Sequence, residues 1–188
     1  PGTSGRRWVL DPIDGTRAYL SGTPCWGTLI ALEQAGAPVL GVIDQPFIGE
    51  RLIGGLGEAR YHGPHADGPL ATLAPRPLDE AVLFTTHPEI GSDDERAAFE
   101  ALSARARLTR YGLDCYAYAL LALGRIDLVV EADLKPCDIA APIAVIEAAG
   151  GIVTDWTGAP ATAGGRVIAA ANAPVHAAAL EVLDSSVR

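Results

Sequence analysis

Two stretches of this 188-residue chain carry residue types at spacings that bind hard cations. The first is Asp11-Pro12-Ile13-Asp14-Gly15-Thr16, directly after a short apolar run. Two carboxylates three positions apart on a tight turn can converge on one point, with a hydroxyl and a backbone carbonyl close by. Oxygen-only ligands of this kind suit Mg2+, which takes a few carboxylates together with water and substrate phosphate. Carboxylates about 4 Å apart repel by roughly 4 kcal/mol at an effective dielectric near 20. Convergence therefore asks for a cation. Taken alone, the stretch reads first as turn chemistry, since Asp-Pro and Asp-Gly are common turn dipeptides.

The second stretch, Glu131-Ala132-Asp133-Leu134-Lys135-Pro136-Cys137-Asp138, leads from a strand end into a helix. An aspartate at a helix start stabilises the exposed amides and the positive dipole end, so capping by itself accounts for Asp138. A loop between the carboxyl end of a strand and a helix N-terminus is also where α/β folds place ligands.

The elements that must position these groups follow from hydrophobic periodicity and turn residues. The spacing predicts strands at 7–10, 26–32, 38–44, 51–53 and 59–62, with Asp11-Pro12 a turn and the second and third strands a hairpin. A proline- and glycine-rich surface loop is expected over 62–77. Beyond it strands (81–85, 108–111, 127–131, 152–154, 166–171) alternate with helices (93–104, 116–123, 138–149, 175–183). The expectation is a layered α/β (α+β) fold: a strand-rich front half, 1–76, carrying the first motif, and an α/β half, 77–188, carrying the second, as one continuous catalytic unit.

Composition narrows the function. Fourteen basic against 23 acidic residues give a net charge of -9, which disfavours nucleic acid and anionic membranes as partners. A phosphate substrate survives that objection only if a divalent cation inverts the local electrostatics. No apolar run reaches the 18 or more residues of a membrane span, and no secretory pattern opens the chain. Three cysteines, Cys25, Cys115 and Cys137, fit neither a disulfide framework nor a zinc site, which favours a reducing cytoplasm. The four histidines show no ligand spacing and read as solvated or satisfied groups, and no role is placed on Lys135. The chain contains no methionine and opens Pro-Gly-Thr-Ser-Gly, which reads as the middle of a loop, so a segment is expected upstream.

Asp-Pro-Ile-Asp-Gly-Thr at 11–16, with the later Asp138 opening a helix that runs to Glu147-Ala148-Ala149-Gly150-Gly151, resembles the paired motifs of the inositol monophosphatase superfamily. Within it, Asp14 to Leu20, Gly112 to Tyr118 and Leu134 to Asp138 resemble the histidinol-phosphate phosphatase branch. Cys137 stands where the inositol branch has tryptophan. The resemblance implies an αβαβα sugar-phosphatase-like fold, here lacking its N-terminal helices, and catalysis by Asp11, Asp14 and Thr16. Two or three Mg2+ ions are implied, with Asp11 bridging, Ile13 supplying a carbonyl, and Asp14 and Asp138 completing the second ion. Thr16 would orient the attacking water, and the amides of Gly15 and Thr16 would hold phosphate. Gly112, Asp114, Glu131 and Asp138 fall at substrate-binding positions, the acidic ones suited to the ammonium and imidazole of histidinol phosphate.

Metals about 3.5–4 Å apart can clamp attacking and leaving oxygens together. Direct attack by activated water is the simplest mechanism, because no paired nucleophile and base is evident. The expected activity is histidinol-phosphate hydrolysis in histidine biosynthesis, by a lithium-sensitive cytoplasmic homodimer. The runner-up within the enzyme class is an inositol, sugar or nucleotide phosphatase; from another class, a non-catalytic relic or interaction module. Family members carry a Gly-Glu-Glu stretch that supplies a metal-binding glutamate, and residues 1–188 contain none. Residues 1–188 alone are therefore expected to bind metal weakly and turn over little.

Overall fold

The computed structural model describes residues 3–186; Pro1 and Gly2 of the expected opening loop lie outside the described residues. Strands β1 (Arg6–Asp14), β2 (Gly27–Gln34), β3 (Ala37–Gln45), β4 (Glu50–Gly55), β5 (Glu58–His62) and β6 (Asp67–Pro69) form one antiparallel sheet in sequence order. The strict alternation of β2, with Leu29 and Ala31 buried and Thr28 and Ile30 on the other face, is what a half-covered antiparallel sheet requires. The second sheet, ordered β10-β11-β9-β7-β8, contains β7 (Val82–Thr85), β8 (Leu108–Tyr111), β9 (Leu128–Leu134), β10 (Ile152–Thr154) and β11 (Gly165–Ala170). Strand β7 runs parallel to both β8 and β9, and β11 antiparallel to β9 and β10.

Between the sheets lie α3 (Cys115–Ala122) and α4 (Pro136–Ala148), with mean compositions so apolar that both are buried nearly all round. Ile139, Val145 and Ile146 of α4 share one core with Leu29, Ile43 and Leu52 of the first sheet and Val129 and Val167 of the second. Helices α2 (Asp93–Ser103) and α5 (Ala173–Ser186) cover the far face of the second sheet, burying Phe99 and Leu183 against Leu83, Leu128 and Ile168. The layers thus run β, α, β, α. This is the expected αβαβα order less the layer over the outer face of the first sheet. On that face Trp8 and Leu10 of β1 are 60% and 57% exposed.

Helix α4 lies unusually close to the first sheet. A Cβ on Gly41 would stand 2.3 Å from the Ala141 carbonyl oxygen, and one on Gly54 2.4 Å from Val145 Cα, so only glycine allows the approach. Pro142 sits inside α4 and has no N–H to offer the carbonyl one turn earlier, that of Asp138.

Four local expectations need correction. Strand β1 does not stop at a turn before Asp11 but continues to Asp14. A helix, α1 (Thr16–Ser21), follows at once, bracketed by Gly15 and Gly22; its six residues hold too little periodicity to read. The 62–77 loop contains β6, which pairs His62 with Asp67 across a short turn. Helix α4 starts at Pro136, whose fixed φ suits a first helical position, so Asp138 stands third in the helix rather than opening it.

Candidate active site

The pairing of β1 with β2 slips between Asp11 and Asp14: Asp11 faces Leu29 and Asp14 faces Gly27, so Pro12 and Ile13 together oppose Thr28 alone. On a regular strand, residues three apart point to opposite faces. The bulge removes that opposition and turns both carboxylates towards one cavity, as bulges beside active sites do. Thr28 Oγ1 donates to the Pro12 carbonyl at 2.8 Å and fixes the bulge. Gly15 then takes a left-handed φ of 78° to start α1, in a spot where a side chain would press on Asp114. The Thr16 hydroxyl folds back to donate to the Ile13 carbonyl at 3.1 Å, and the Ile13 amide donates to Asp11 Oδ1 at 3.1 Å.

Asp138 arrives from α4. Its Oδ2 accepts from the Lys135 amide at 2.7 Å, so it does cap the helix, and its Oδ1 faces the Cys137 thiol at 3.4 Å. Ligand atoms of Asp11, Cys137 and Asp138 all lie within 4.8 Å of one another. Burial first, then the Asp138 charge, hold the Asp11 carboxyl above its usual range despite the opposing bond from the Ile13 amide. Asp14 sits deeper: burial pushes it up to about 7, although its Oδ2 accepts from the Cys115 amide at 2.7 Å. Facing carboxylates that resist ionisation without a counter-charge are what a divalent cation would relieve. Burial and the Asp138 carboxylate raise the Cys137 thiol, which keeps its proton. The oxygens left in that cluster, from Asp11 and Asp138, fit a hard cation such as Mg2+, and Asp14 and Ile13 line the same cavity.

These groups share a cavity of about 280 Å³. Of the nine site residues expected from sequence, eight line it: Asp11, Ile13, Asp14, Gly15 and Thr16 from the first motif, and Asp114, Glu131 and Asp138 from elsewhere. Gly112 does not. Its amide donates to the carbonyls of Thr85 and Thr86 at 3.0 and 3.1 Å, which ties the end of β8 to β7 and leaves no donor for a ligand.

Asp114 occupies a strained backbone conformation, φ 45° and ψ −129°, directly after Leu113 at φ 79°. Such geometry in a non-glycine residue costs on the order of 1–3 kcal/mol. Burial raises its carboxyl, against the lowering effect of His87 and Arg17. Glu131 is 5% exposed, and three donors fix it: the Thr85 hydroxyl at 3.1 Å, the Thr86 amide at 2.7 Å and the Thr86 hydroxyl at 2.8 Å. Burial still pushes its carboxyl up to about 7.

Sequence reading missed Thr86, His87, Tyr118 and Lys135, which also line the cavity. His87, expected to be solvated or structural, pairs its Nε2 with the Arg17 guanidinium at the cavity rim. No spacing pattern links 17 to 87, so only the fold reveals the pair. His176 does read as expected, buried and bonded to Thr154 Oγ1 at 2.8 Å.

Residues 1–187 match the inositol monophosphatase family. The chain is 44% identical over 188 residues to the bifunctional phosphatase IMPL2, chloroplastic, of Arabidopsis thaliana, covering 94% of this chain and 53% of that protein. It is 35% identical over 179 residues to a histidinol-phosphatase of Chlorobaculum parvum, covering 92% and 66%. Among solved structures, an inositol monophosphatase from Zymomonas mobilis superposes with a TM-score of 0.91 at 41% identity, covering 97% of this chain and 72% of that one. The chain therefore spans about half to two thirds of the length of the two sequence relatives. The family match over nearly every residue, together with that superposition, leads to one assignment: this chain belongs to the inositol monophosphatase family.

Proposed function

We propose that the whole protein is a magnesium-dependent phosphate monoester hydrolase whose substrate is histidinol phosphate, converted with water into histidinol and inorganic phosphate in histidine biosynthesis. The observation that carries this reading is one cavity lined by five carboxylates, Asp11, Asp14, Asp114, Glu131 and Asp138. Ligand atoms of Asp11 and Asp138 lie within 4.8 Å of each other. Magnesium bound there supplies positive charge for the phosphate and lowers the pKa of nearby water. The chain's own residues do the rest. Asp11, Asp14, Asp138 and the Ile13 carbonyl hold the ions, Thr16 orients water, and the start of α1 at Gly15 and Thr16 holds phosphate oxygens. Glu131 and Asp114 meet a cationic leaving alcohol.

The histidinol-phosphatase of Chlorobaculum parvum supports this substrate. The Zymomonas mobilis inositol monophosphatase favours inositol phosphate as the second reading. The three cysteines are free thiols, in keeping with a reducing cytoplasm, whereas the Arabidopsis relative is named as chloroplastic. No described helix is long and apolar enough to cross a membrane. We also propose a homodimer, lithium inhibition, and little turnover by residues 1–188 alone, because they hold no Gly-Glu-Glu stretch. Residues 1–76 and 77–188 act in this reading as one catalytic unit, since both contribute to one core.

A panel of phosphate monoesters tests the substrate. With the full-length protein and Mg2+, kcat/KM for histidinol phosphate should exceed that for inositol 1-phosphate by at least about tenfold, roughly the effect of one well-placed ionic contact. A preference for inositol phosphate would overturn the substrate assignment, and hydrolysis of no monoester would favour a non-catalytic relic.

A further inference from the structure

The start of α3 serves the cavity twice. Asp114 lines it, and the Cys115 amide donates to Asp14 Oδ2 at 2.7 Å. The backbone that presents both is strained at two successive residues, Leu113 at φ 79° and Asp114 at φ 45°. Left-handed backbone of this kind persists outside glycine only where the surroundings over-determine it. Part of the restraint is local: the Tyr116 and Ala117 amides donate to the Leu113 and Asp114 carbonyls at 2.8 and 3.1 Å. Those bonds travel with the helix and cannot fix it relative to Asp14.

A restraint that can do so comes from the first sheet, which carries Asp14 on β1. Gln45 of β3 and Glu50 of β4 are cross-strand partners, and they reach two consecutive residues of α3. Gln45 Nε2 makes a weak contact with Cys115 Sγ at 3.5 Å. The Tyr116 hydroxyl donates to Glu50 Oε2 at 2.8 Å, and the Tyr61 hydroxyl of β5 donates to the other oxygen, Oε1, also at 2.8 Å. Hydrogen bonds to an ionised acceptor are roughly twice as strong as neutral ones. Burial, then the bond to Glu50, hold both phenols above their ordinary range, so each remains a donor. Glu50, Tyr61 and Tyr116 do not line the cavity, so any effect they have on it passes through other residues.

We propose that Tyr116, through its bond to Glu50, is a positioning residue for the phosphatase site. It ties the start of α3 to the sheet that carries Asp14, which keeps the Cys115 amide on Asp14 and Asp114 in the cavity wall. The proposal rests on the phosphatase reading and deepens it. Without the bond the strained turn at 113–114 is free to relax, and Asp14 and Asp114 lose their fixed relation.

Tyr61 supplies the control, because Tyr61→Phe removes a bond of the same length to the same carboxylate without touching α3. Both rings pack against the core, and phenylalanine keeps that packing, so both variants fold. The test compares Tyr116→Phe with Tyr61→Phe in the full-length protein. Phosphate release is measured on whichever of histidinol phosphate and inositol 1-phosphate the wild type hydrolyses better, and Mg2+ affinity by calorimetric titration. Denaturant midpoints should fall by similar amounts in the two variants. Tyr116→Phe should lower kcat and Mg2+ affinity by about tenfold each, as for loss of a group that orients metal ligands. Tyr61→Phe should change both by less than about twofold, as expected of a bond that orients no site residue. Equal effects of the two variants on kcat and Mg2+ affinity, or wild-type values in Tyr116→Phe, overturn the proposal. A wild type that hydrolyses neither ester overturns the phosphatase reading and this proposal with it.

Discussion

At the scale of single residues, burial holds the carboxyl groups of Asp11, Asp14, Asp114 and Glu131 where ionisation is unfavourable. Glu131 is the clearest case, because it is outside the Asp11, Cys137 and Asp138 cluster. Its carboxyl is raised from 4.5 to about 7 by burial, against the three bonds from Thr85 and Thr86. A group whose folded pKa exceeds its unfolded one lends stability in full below the unfolded value, and loses it as pH rises through the folded value. In metal-free protein, that contribution is present at pH 4.5 and lost as pH climbs through about 7. Glu131→Gln removes the titration and can keep the bonds, with Oε1 accepting from Thr86 and Nε2 donating to the Thr85 hydroxyl. Thermal unfolding from pH 5 to 8 should show the variant gaining stability relative to wild type as pH rises; a constant difference would contradict a buried, strained charge. Asp14, also raised to about 7 by burial, leaves part of the pH dependence in the variant.

The residues most legible in the sequence were those with short-range partners: Asp11 and Asp14 in one motif, Asp138 beside its helix start. Tyr118, His87 and Thr86 were not, because their roles depend on α3 and the end of β7 meeting β9 across the cavity.

At the scale of elements, placement of Asp138 depends on how closely α4 lies against β3 and β4. The missing side chains of Gly41 and Gly54 set that distance. Gly41→Ala should place a methyl against the Ala141 carbonyl and destabilise the fold by about 1–3 kcal/mol, as overpacking does. Because α4 also carries Asp138, the same variant should bind Mg2+ more weakly. Denaturant unfolding and metal titration check the two effects, and a variant with wild-type stability and affinity would show that the helix can shift freely. Periodicity revealed α2 and the β2–β3 hairpin within two residues, and α5 within three, because their apolar spacing is regular. It could not reveal the β1 bulge or α1. The bulge is a register slip against β2, and a register is a relation between strands, written in neither strand alone.

At the scale of the whole molecule, four layers bring two distant motifs to one cavity, while Trp8 and Leu10 remain exposed on the first sheet's outer face. In a chain of net charge -9, the proposed binding of a phosphate ester requires cations at the aspartates. That dependence is the centre of the account, and Asp14→Asn probes it with little structural disturbance, since an asparagine oxygen can still accept from the Cys115 amide. The most direct measurement is phosphate release from histidinol phosphate by the full-length protein, wild type and Asp14→Asn, with Mg2+ and after chelation. The account predicts release by wild type that chelation abolishes and Mg2+ restores, with the variant's rate reduced by at least about a hundredfold, as for loss of a group acting on the transition state. Release that survives chelation, or a variant near the wild-type rate, would contradict it.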